Sequence, residues 1–537
     1  MIDRPWYKHY PPGVEKEVSI PTASLSSLLK KAFKKRPTNT AVIDGPVRWS
    51  YQKLYEKVLS FSHSLFVKGF KPGDRALIKL FNSKEYIVAY FAVIRLGGTV
   101  VQANPLYTSE ELRELINDSK ASWAISHAEH ADKIQRADRR NKLGVVLVSA
   151  AQSSGDTESF EAMIENGNPA LAPEHDINPY EDVAVLQYTG GTTGKSKGVM
   201  LTHQNIFSNV YQNYHFTVKD ISEEGEKLLG VSPFYHVYGM SAVMLLAVFR
   251  GSTIICISRF DPKKFLEIIR KERPTLFSGV PTVYAALLKQ PEATEETMKS
   301  LKLCMAGSAP LPLEVIRAFE EKTGAVILEG YGLSETSPTT HRNPAQGVRK
   351  AGSIGIPVPN TDCKIVDQFT GEKEMPVGEV GELVIKGPQV MKGYWQREED
   401  TKRTLVNGWL YTGDLARMDK DGYFYIVGRK KELIIASGYN VYPREIENVL
   451  YEHPSIQEAA VYGIPDEYRG ETVQAAVVLK DQGFIDKEEL RMWLKERLAV
   501  YKVPTKIDIL PSLPKTSVGK ILKRTLQNQA KENQLLK

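Results

Sequence analysis

A chain of 537 residues is too long for one hydrophobic core, so about two to four domains are expected. A hydrophobic share of 42%, a charged share of 25% and a net charge of +6 fit an ordinary globular chain. They lend only weak support to anionic ligands or an anionic surface, and no arginine-rich block with interleaved aromatics points to nucleic acid. Cys256, Cys304 and Cys363 share no ligand spacing, which argues against a disulfide framework or a zinc site and fits a reducing, cytoplasmic compartment. The first residues lack a charged-then-apolar signal layout, and the longest apolar run, 240–249, is about half a membrane span. The expectation is a soluble protein, peripheral to a membrane at most.

In chain order, 51–67 reads as an amphipathic helix, 75–80 as a strand, 84–96 as a helix and 99–102 as a strand. A helix capped by Ser109 follows over 109–119, then a strand over 122–126. This alternation predicts open α/β sheets with helices on their faces. Residues 183–187 form an apolar run that reads as a buried strand, a glycine-rich loop follows, and Thr202 caps the next helix. The rhythm resumes with a strand at 253–257, a helix at 260–271, a strand at 275–277 and a helix at 282–288. From about residue 350, short strands with Gly and Pro turns predict a distorted barrel or antiparallel sheet. Past 428–432 a small domain is expected, with a helix at 443–451, strands at 458–462 and 474–479, and a helix at 487–498. An exposed tail at 511–520 and a frayed end around Lys531 close the chain.

The loop is Tyr188-Thr-Gly-Gly-Thr-Thr-Gly-Lys-Ser-Lys-Gly-Val199. Clustered glycines between strand and helix can turn several backbone N–H groups toward one point, which suits a polyphosphate. Thr189, Thr192 and Thr193 add hydroxyls, and Lys195 and Lys197 add positive charge. Walker A needs a glycine five residues before Gly194, where this chain has Thr189, so a P-loop NTPase is disfavoured.

The run resembles instead the phosphate loop of the adenylate-forming superfamily, which includes acyl-CoA synthetases, luciferases and peptide-synthetase adenylation domains. Gly190 replaces the usual Ser and Ser196 the usual Pro. Four further stretches carry the resemblance along nearly the whole chain: Glu329-Gly-Tyr-Gly-Leu-Ser-Glu-Thr336, Tyr411-Thr-Gly-Asp414, Gly428-Arg-Lys-Lys-Glu432 and Pro514-Lys-Thr-Ser-Val-Gly-Lys520. The resemblance implies that Thr189, Gly190, Gly191, Thr192, Thr193, Gly194 and Lys197 hold the phosphates. Gly307, Ser308 and Ala309, together with Glu329, Gly330, Tyr331 and Gly332, would enclose the adenine. Thr336 would contact the α-phosphate, Asp414 and Arg429 the ribose, and Glu335 with Thr192 a magnesium ion.

By the same resemblance Lys520 is the catalytic lysine of adenylation, delivered on a mobile loop, and Lys431 is the hinge. His236, in Ser232-Pro-Phe-Tyr-His-Val-Tyr-Gly239, would sit at the floor of the carboxylate site. Val237, Tyr238, Gly239, Met240, Val280, Thr282 and Leu333 would line an acyl tunnel, and Ser437, Gly438 and Asn440 would flank CoA. Aromatic-acid ligases often carry lysines where this chain has Ile435 and Ser437, which puts a coumarate-type acid in doubt.

The architecture expected is α/β: a large N-terminal region, 1–429, of two α/β subdomains plus a barrel-like one, and a small mobile C-terminal α+β domain, 430–537. The activity expected is ATP-, Mg2+- and CoA-dependent ligation of a fatty acid. The closest resemblance is to bacterial long-chain-fatty-acid–CoA ligases. An aromatic acid, a carrier-protein acceptor and an inactive nucleotide-binding regulator are the alternatives. Peripheral contact with the inner face of the cell membrane and a homodimer stay open; nucleic acid is not expected as a partner.

Overall fold

The computed structural model describes residues 4–138, 143–149, 157–189, 196–217, 225–480, 485–516 and 519–535. Four sheets organise them. Six parallel strands form the heart of the nine-stranded sheet, from Ile327–Gly332 through Leu303–Ala306, Leu276–Gly279, Lys227–Gly230 and Thr253–Cys256 to Thr40–Asp44. The eight-stranded sheet runs parallel from Val183–Thr189 through Thr99–Gln102, Arg75–Lys79, Trp123–His127 and Gly144–Val148 to Thr157–Ser159. The central strands, such as Leu276–Gly279 and Thr253–Cys256, are buried along their whole length because parallel sheets are covered on both faces.

The helix Lys84–Arg95 packs in the main core and is buried from Tyr86 to Arg95, as an all-round apolar sequence requires. Just before it, Asn82 ties the carboxyl ends of the two sheets together. Its Nδ2 donates to the carbonyls of Gly230 (2.8 Å) and Ser232 (3.0 Å), and its Oδ1 accepts from Phe234 N–H at 2.7 Å. This brace fixes the segment that leads into His236. Open α/β sheets bind ligands beyond their strands' carboxyl ends, and both sheets present those ends here.

Asp362–Val366, Gly381–Lys386, Trp409–Met418, Leu405–Val406 and Phe424–Arg429 form a five-stranded antiparallel sheet in the barrel-like region. The last sheet starts at Ile434 and has its own core, in which Ile446 and Leu450 of the helix Pro443–Tyr451 meet Val461 and Val477. The chain is thus α/β, with a large N-terminal part and a smaller C-terminal one. Among the described residues no helix is long and apolar enough to cross a membrane. The apolar run at 240–249 is a buried helical segment with a π-helical stretch, Met240–Leu245, and the three cysteines are buried thiols.

Several local expectations need correction. Ser109 is the first helical residue; the cap is Thr108, whose hydroxyl accepts from Glu111 N–H in a capping box. The glycine loop does not join strand to helix. Val183–Thr189 and Lys197–Thr202 pair antiparallel, so the loop closes a hairpin and the helix His203–Phe216 begins only after the second strand. Thr202 does cap that helix. The tail 511–520 is not simply exposed, since Leu513 is buried. The chain around Lys531 belongs to a helix, Lys523–Leu535, that buries Leu526 and Ala530 against the C-terminal sheet.

Candidate active site

A cavity of about 1570 Å³ opens between the carboxyl ends of the sheets and the C-terminal part. Thr189, Lys197, His236, Gly307, Tyr331, Glu335, Arg429, Lys431 and Lys520 all reach its wall, although they come from six separate stretches of chain. Gly190, Gly191, Thr192, Thr193 and Gly194 lie outside the described residues.

The side of the cavity that Tyr331 and Arg429 line is cross-braced. Asp414 and Arg429 face each other across an antiparallel pair, and Arg429 Nε lies 2.8 Å from Asp414 Oδ1. Tyr331 Oη donates to Asp414 Oδ2 at 2.5 Å. Burial first, and the Asp414 charge next, push the Tyr331 phenol well above its usual pKa, so it stays a donor. Asp414 is 2% exposed beneath its two partners, and Gly413 and Thr412 form the wall in front of it. Ser308 adopts positive φ, 69°, beside Gly307. A Cβ on Gly307 would rest in ordinary contact with the Tyr238 ring, 3.4 Å away, so the Tyr238 ring packs beside this wall.

Glu335 Oε1 accepts from Tyr394 Oη at 2.8 Å. Lys197 sits 5.1 Å above the Tyr394 ring and 3.0 Å from Asp400 Oδ2. Among the described residues there is no group of three or more His, Cys, Asp or Glu side chains that could hold a metal. A single carboxylate on the cavity wall still fits magnesium, which takes one or two carboxylates and completes its shell with phosphate oxygens and water.

His236 Nδ1 accepts from Tyr238 N–H at 3.4 Å, so a neutral imidazole carries its proton on Nε2. Burial, and then the Lys520 ammonium, drive its pKa down to about 3. Lys520 itself is shifted downward, by burial first and then by Arg429. Its loop is a tight turn in which Gly519 N–H donates to the Thr516 carbonyl (2.9 Å) and Lys520 N–H to Thr516 Oγ1 (3.1 Å). Lys431, in the short turn Lys430–Glu432, is lowered by burial and by Arg429.

Not every expected residue reaches the cavity. Glu329 and Thr336 are buried behind the wall: Gly352 N–H donates to Glu329 Oε2 at 2.7 Å, and the Thr336 hydroxyl is spent on the Leu333 and Pro338 carbonyls. Gly330, Gly332 and Ser308 line the cavity; Ala309 does not. Of the acyl set, Val237, Tyr238 and Leu333 line it. Gly239 is packed against Pro233, whose carbonyl oxygen would lie 2.2 Å from an added Cβ, and Met240 is fully buried with its Sδ accepting from Gln102 Nε2. Val280 packs against the cluster that includes Phe277, Tyr284 and Leu287. Thr282 meets the Lys520 loop instead, with Cγ2 2.9 Å from where a Cβ on Gly519 would stand. Ser437, Gly438 and Asn440 form a hairpin turn outside the cavity wall.

The residues that sequence reasoning missed are long-range partners. Tyr394 and Asp400 hold Glu335 and Lys197, and Asp118 receives Tyr188 Oη (2.7 Å) and Arg397 Nη2 (2.6 Å). Tyr188, at the head of the glycine loop, was the only signal available for the second group.

Comparison with known proteins places the chain in a family. The profile of the AMP-binding enzyme family matches residues 29–395, and that of the AMP-binding enzyme C-terminal domain matches 445–520. A Bacillus subtilis protein named long-chain-fatty-acid–CoA ligase is 42% identical, with 99% of each chain covered. A feruloyl-CoA synthase of Amycolatopsis is 36% identical, covering 91% of this chain and 95% of its own. The ATP-bound structure of MatB from Rhodopseudomonas palustris superposes with a TM-score of 0.87 at 32% identity, over 95% of this chain and 99% of that one.

Proposed function

The chain belongs to the AMP-binding enzyme family, and we propose that it joins a long-chain fatty acid to CoA through an acyl-adenylate. The observation that carries this reading is the meeting of Lys520, His236 and Glu335 in one cavity with the Asp414–Arg429–Tyr331 brace. In the first step a carboxylate oxygen bonds to the α-phosphorus of ATP and pyrophosphate leaves. In the second, the CoA thiol attacks the acyl carbon, AMP departs, and the thiol proton is lost.

Negative charge crowds the first step, and Lys520 is placed to offset it. Its lowered pKa does not empty it of charge: a bound polyphosphate would favour the ammonium again. The neutral His236 can donate from Nε2 to a carboxylate oxygen and orient it. Magnesium, held by Glu335 and phosphate oxygens, would neutralise charge on the leaving group. At the wall, Tyr331 and Arg429, with Asp414 beneath them, would set the position of the ribose. The two steps need different neighbours around the adenylate, so the small part is read as a mobile domain from residue 430, pivoting at Lys431. Its separate core supports that boundary.

The long-chain assignment rests on the relatives and on a cavity that continues past Tyr238 to Ala242, Met305 and Leu328. Each buried methylene contributes about 0.8 kcal/mol at most. A panel of acids from C2 to C18 plus coumarate, at saturating ATP and CoA with AMP release followed, tests it. We expect kcat/KM to rise toward medium and long chains. Best activity on acetate or coumarate would remove the long-chain assignment and leave the ligase chemistry.

A further inference from the structure

The last turn of the helix Ser109–Ser119 carries Asp118, where a negative charge meets the unfavourable end of the helix dipole. Three partners from two distant stretches offset that cost. Asp118 Oδ2 accepts from Tyr188 Oη at 2.7 Å, 70 residues on, and Oδ1 accepts from Arg397 Nη2 at 2.6 Å, 279 residues on. The Asp118 carbonyl accepts from Trp395 Nε1 at 3.0 Å. One residue thus ties the head of the glycine loop to the segment 391–404. The same segment holds the far end of the loop and the carboxylate beside it. Gly393–Tyr394 pairs antiparallel with Val199 and Met200, and Trp395 N–H donates to the Gly198 carbonyl at 2.8 Å. Asp400 Oδ2 lies 3.0 Å from Lys197 Nζ. Tyr394 Oη donates to Glu335 Oε1 at 2.8 Å, and Met391 N–H to the Glu335 carbonyl at 2.8 Å. Asp118, Tyr188, Lys197, Glu335, Tyr394 and Arg397 all line the cavity.

We propose that Asp118 is a positioning residue for the triphosphate of ATP. Through Arg397 it locks the segment 391–404 onto the hairpin that begins at Tyr188. Lys197 and Glu335, both held by that segment, then stand in register with the loop, and phosphate and metal meet one preset geometry. The inference rests on the adenylation step proposed above and adds to it a residue outside every motif read from the sequence. A brace that served folding alone could end anywhere along the hairpin. This one ends on the cation and the carboxylate that the adenylation step needs.

The test takes ATP binding and the two half-reactions separately. Asp118→Asn keeps the shape of the residue and removes the charge that holds Arg397. Calorimetric binding of ATP in the presence of magnesium should weaken about tenfold, the lower end of what losing an outer partner costs a bound metal. The extra affinity that magnesium gives the wild type should shrink, and the KM for ATP in pyrophosphate exchange should rise by the same factor. The KM for the acid should match wild type, as should thioester formation from supplied acyl-adenylate, which involves no triphosphate. Combining Asp118→Asn with Arg397→Gln should be no worse than either change alone, because two residues acting through one contact are not additive. Unchanged ATP binding in Asp118→Asn, effects that multiply in the double variant, or equal losses in both half-reactions would each overturn the positioning role while the ligase reading stands. A wild type that acylates CoA from supplied acyl-adenylate but exchanges pyrophosphate with no acid would overturn the adenylation step, and this role with it.

Discussion

On the large side of the cavity, Tyr331, Asp414 and Arg429 are held by strand pairing and by bonds to one another. On the small side, Lys520 arrives on a loop held, among the described residues, by bonds between Thr516 and the 519–520 backbone and, at its base, by Leu522 N–H to the Pro514 carbonyl. The contrast separates two tasks. Binding and orienting a nucleotide gain from a prebuilt, cross-braced wall, whereas a charge needed in one step and unwelcome in the next is better carried on a part that can leave. Gly519, at φ 80° against Thr282, marks where the two sides touch.

Lys520→Ala is the strongest way to sharpen that division. Adenylation should fall roughly 10²–10³-fold while ATP binding stays within a few-fold. Thioester formation from supplied acyl-adenylate should suffer much less, as rapid-quench measurement of each half-reaction would show. Equal losses in both steps would make Lys520 part of the fixed wall and end the comparison.

The braced side has its own signature in pH. Burial raises the Glu329 carboxyl from 4.5 to about 7, the lowering influences of Gly352 N–H, Arg444 and Arg349 notwithstanding. The folded state therefore binds this proton more tightly than the unfolded chain. Its stabilising contribution is full below about pH 4.5 and is lost as pH rises through 7. Glu329→Gln should remove that slope, changing the stability difference between pH 5.5 and 8 by about 2 kcal/mol. Denaturant melts at the two pH values measure it; a variant with the wild-type slope would mean that Glu329 does not titrate in this range.

The sequence made the two sides unequally legible. Alternating apolar runs and caps disclosed the α/β class and strands such as 75–80 and 253–257, because each of these is defined by its own few residues. Resemblance of whole motifs disclosed Lys520, Tyr331 and Arg429, each of which stands inside a recognisable run, but not the partners they meet, such as Asp414, which is 83 residues from Tyr331. Local reading failed where partners are distant. Nothing near Glu335 announces Tyr394, 59 residues away, and nothing near Thr282 shows that it packs against Gly519. The hairpin at the glycine loop was misread because an antiparallel return strand, 197–202, has no turn residues of its own before the helical cap.

Lys431→Pro probes the joint between the sides. Proline fixes φ and would hinder rotation at the Lys430–Glu432 turn. Adenylation should persist while transfer to CoA drops about tenfold, a change of roughly 1.4 kcal/mol in the second barrier. Wild-type rates for both steps would remove Lys431 from the pivot. An equal loss in both would mean that its place on the cavity wall matters more than its place in the chain.

The smallest expected effect lies wholly within the scaffold. Thr202 ends the return strand of the glycine-loop hairpin and caps the helix His203–Phe216. Its Oγ1 accepts from Asn205 N–H at 3.1 Å, Asn205 Oδ1 accepts from Thr202 N–H at 3.1 Å, and the residue is 2% exposed. Thr202→Ala would leave the Asn205 N–H without its acceptor in a place water scarcely reaches, at a cost of about 1 kcal/mol. The helix behind it is held by buried polar anchors, including Asn209 to the Thr339 carbonyl and Gln212 to that of Pro359. A local loss at its first turn should therefore lower the unfolding midpoint without moving the cavity wall. Below the melting range kcat for both half-reactions should match wild type. If kcat instead falls with the protein still fully folded, the strain has travelled from the cap through Lys197–Thr202 to the phosphate loop. The braced side would then share in the chemistry and not only support it.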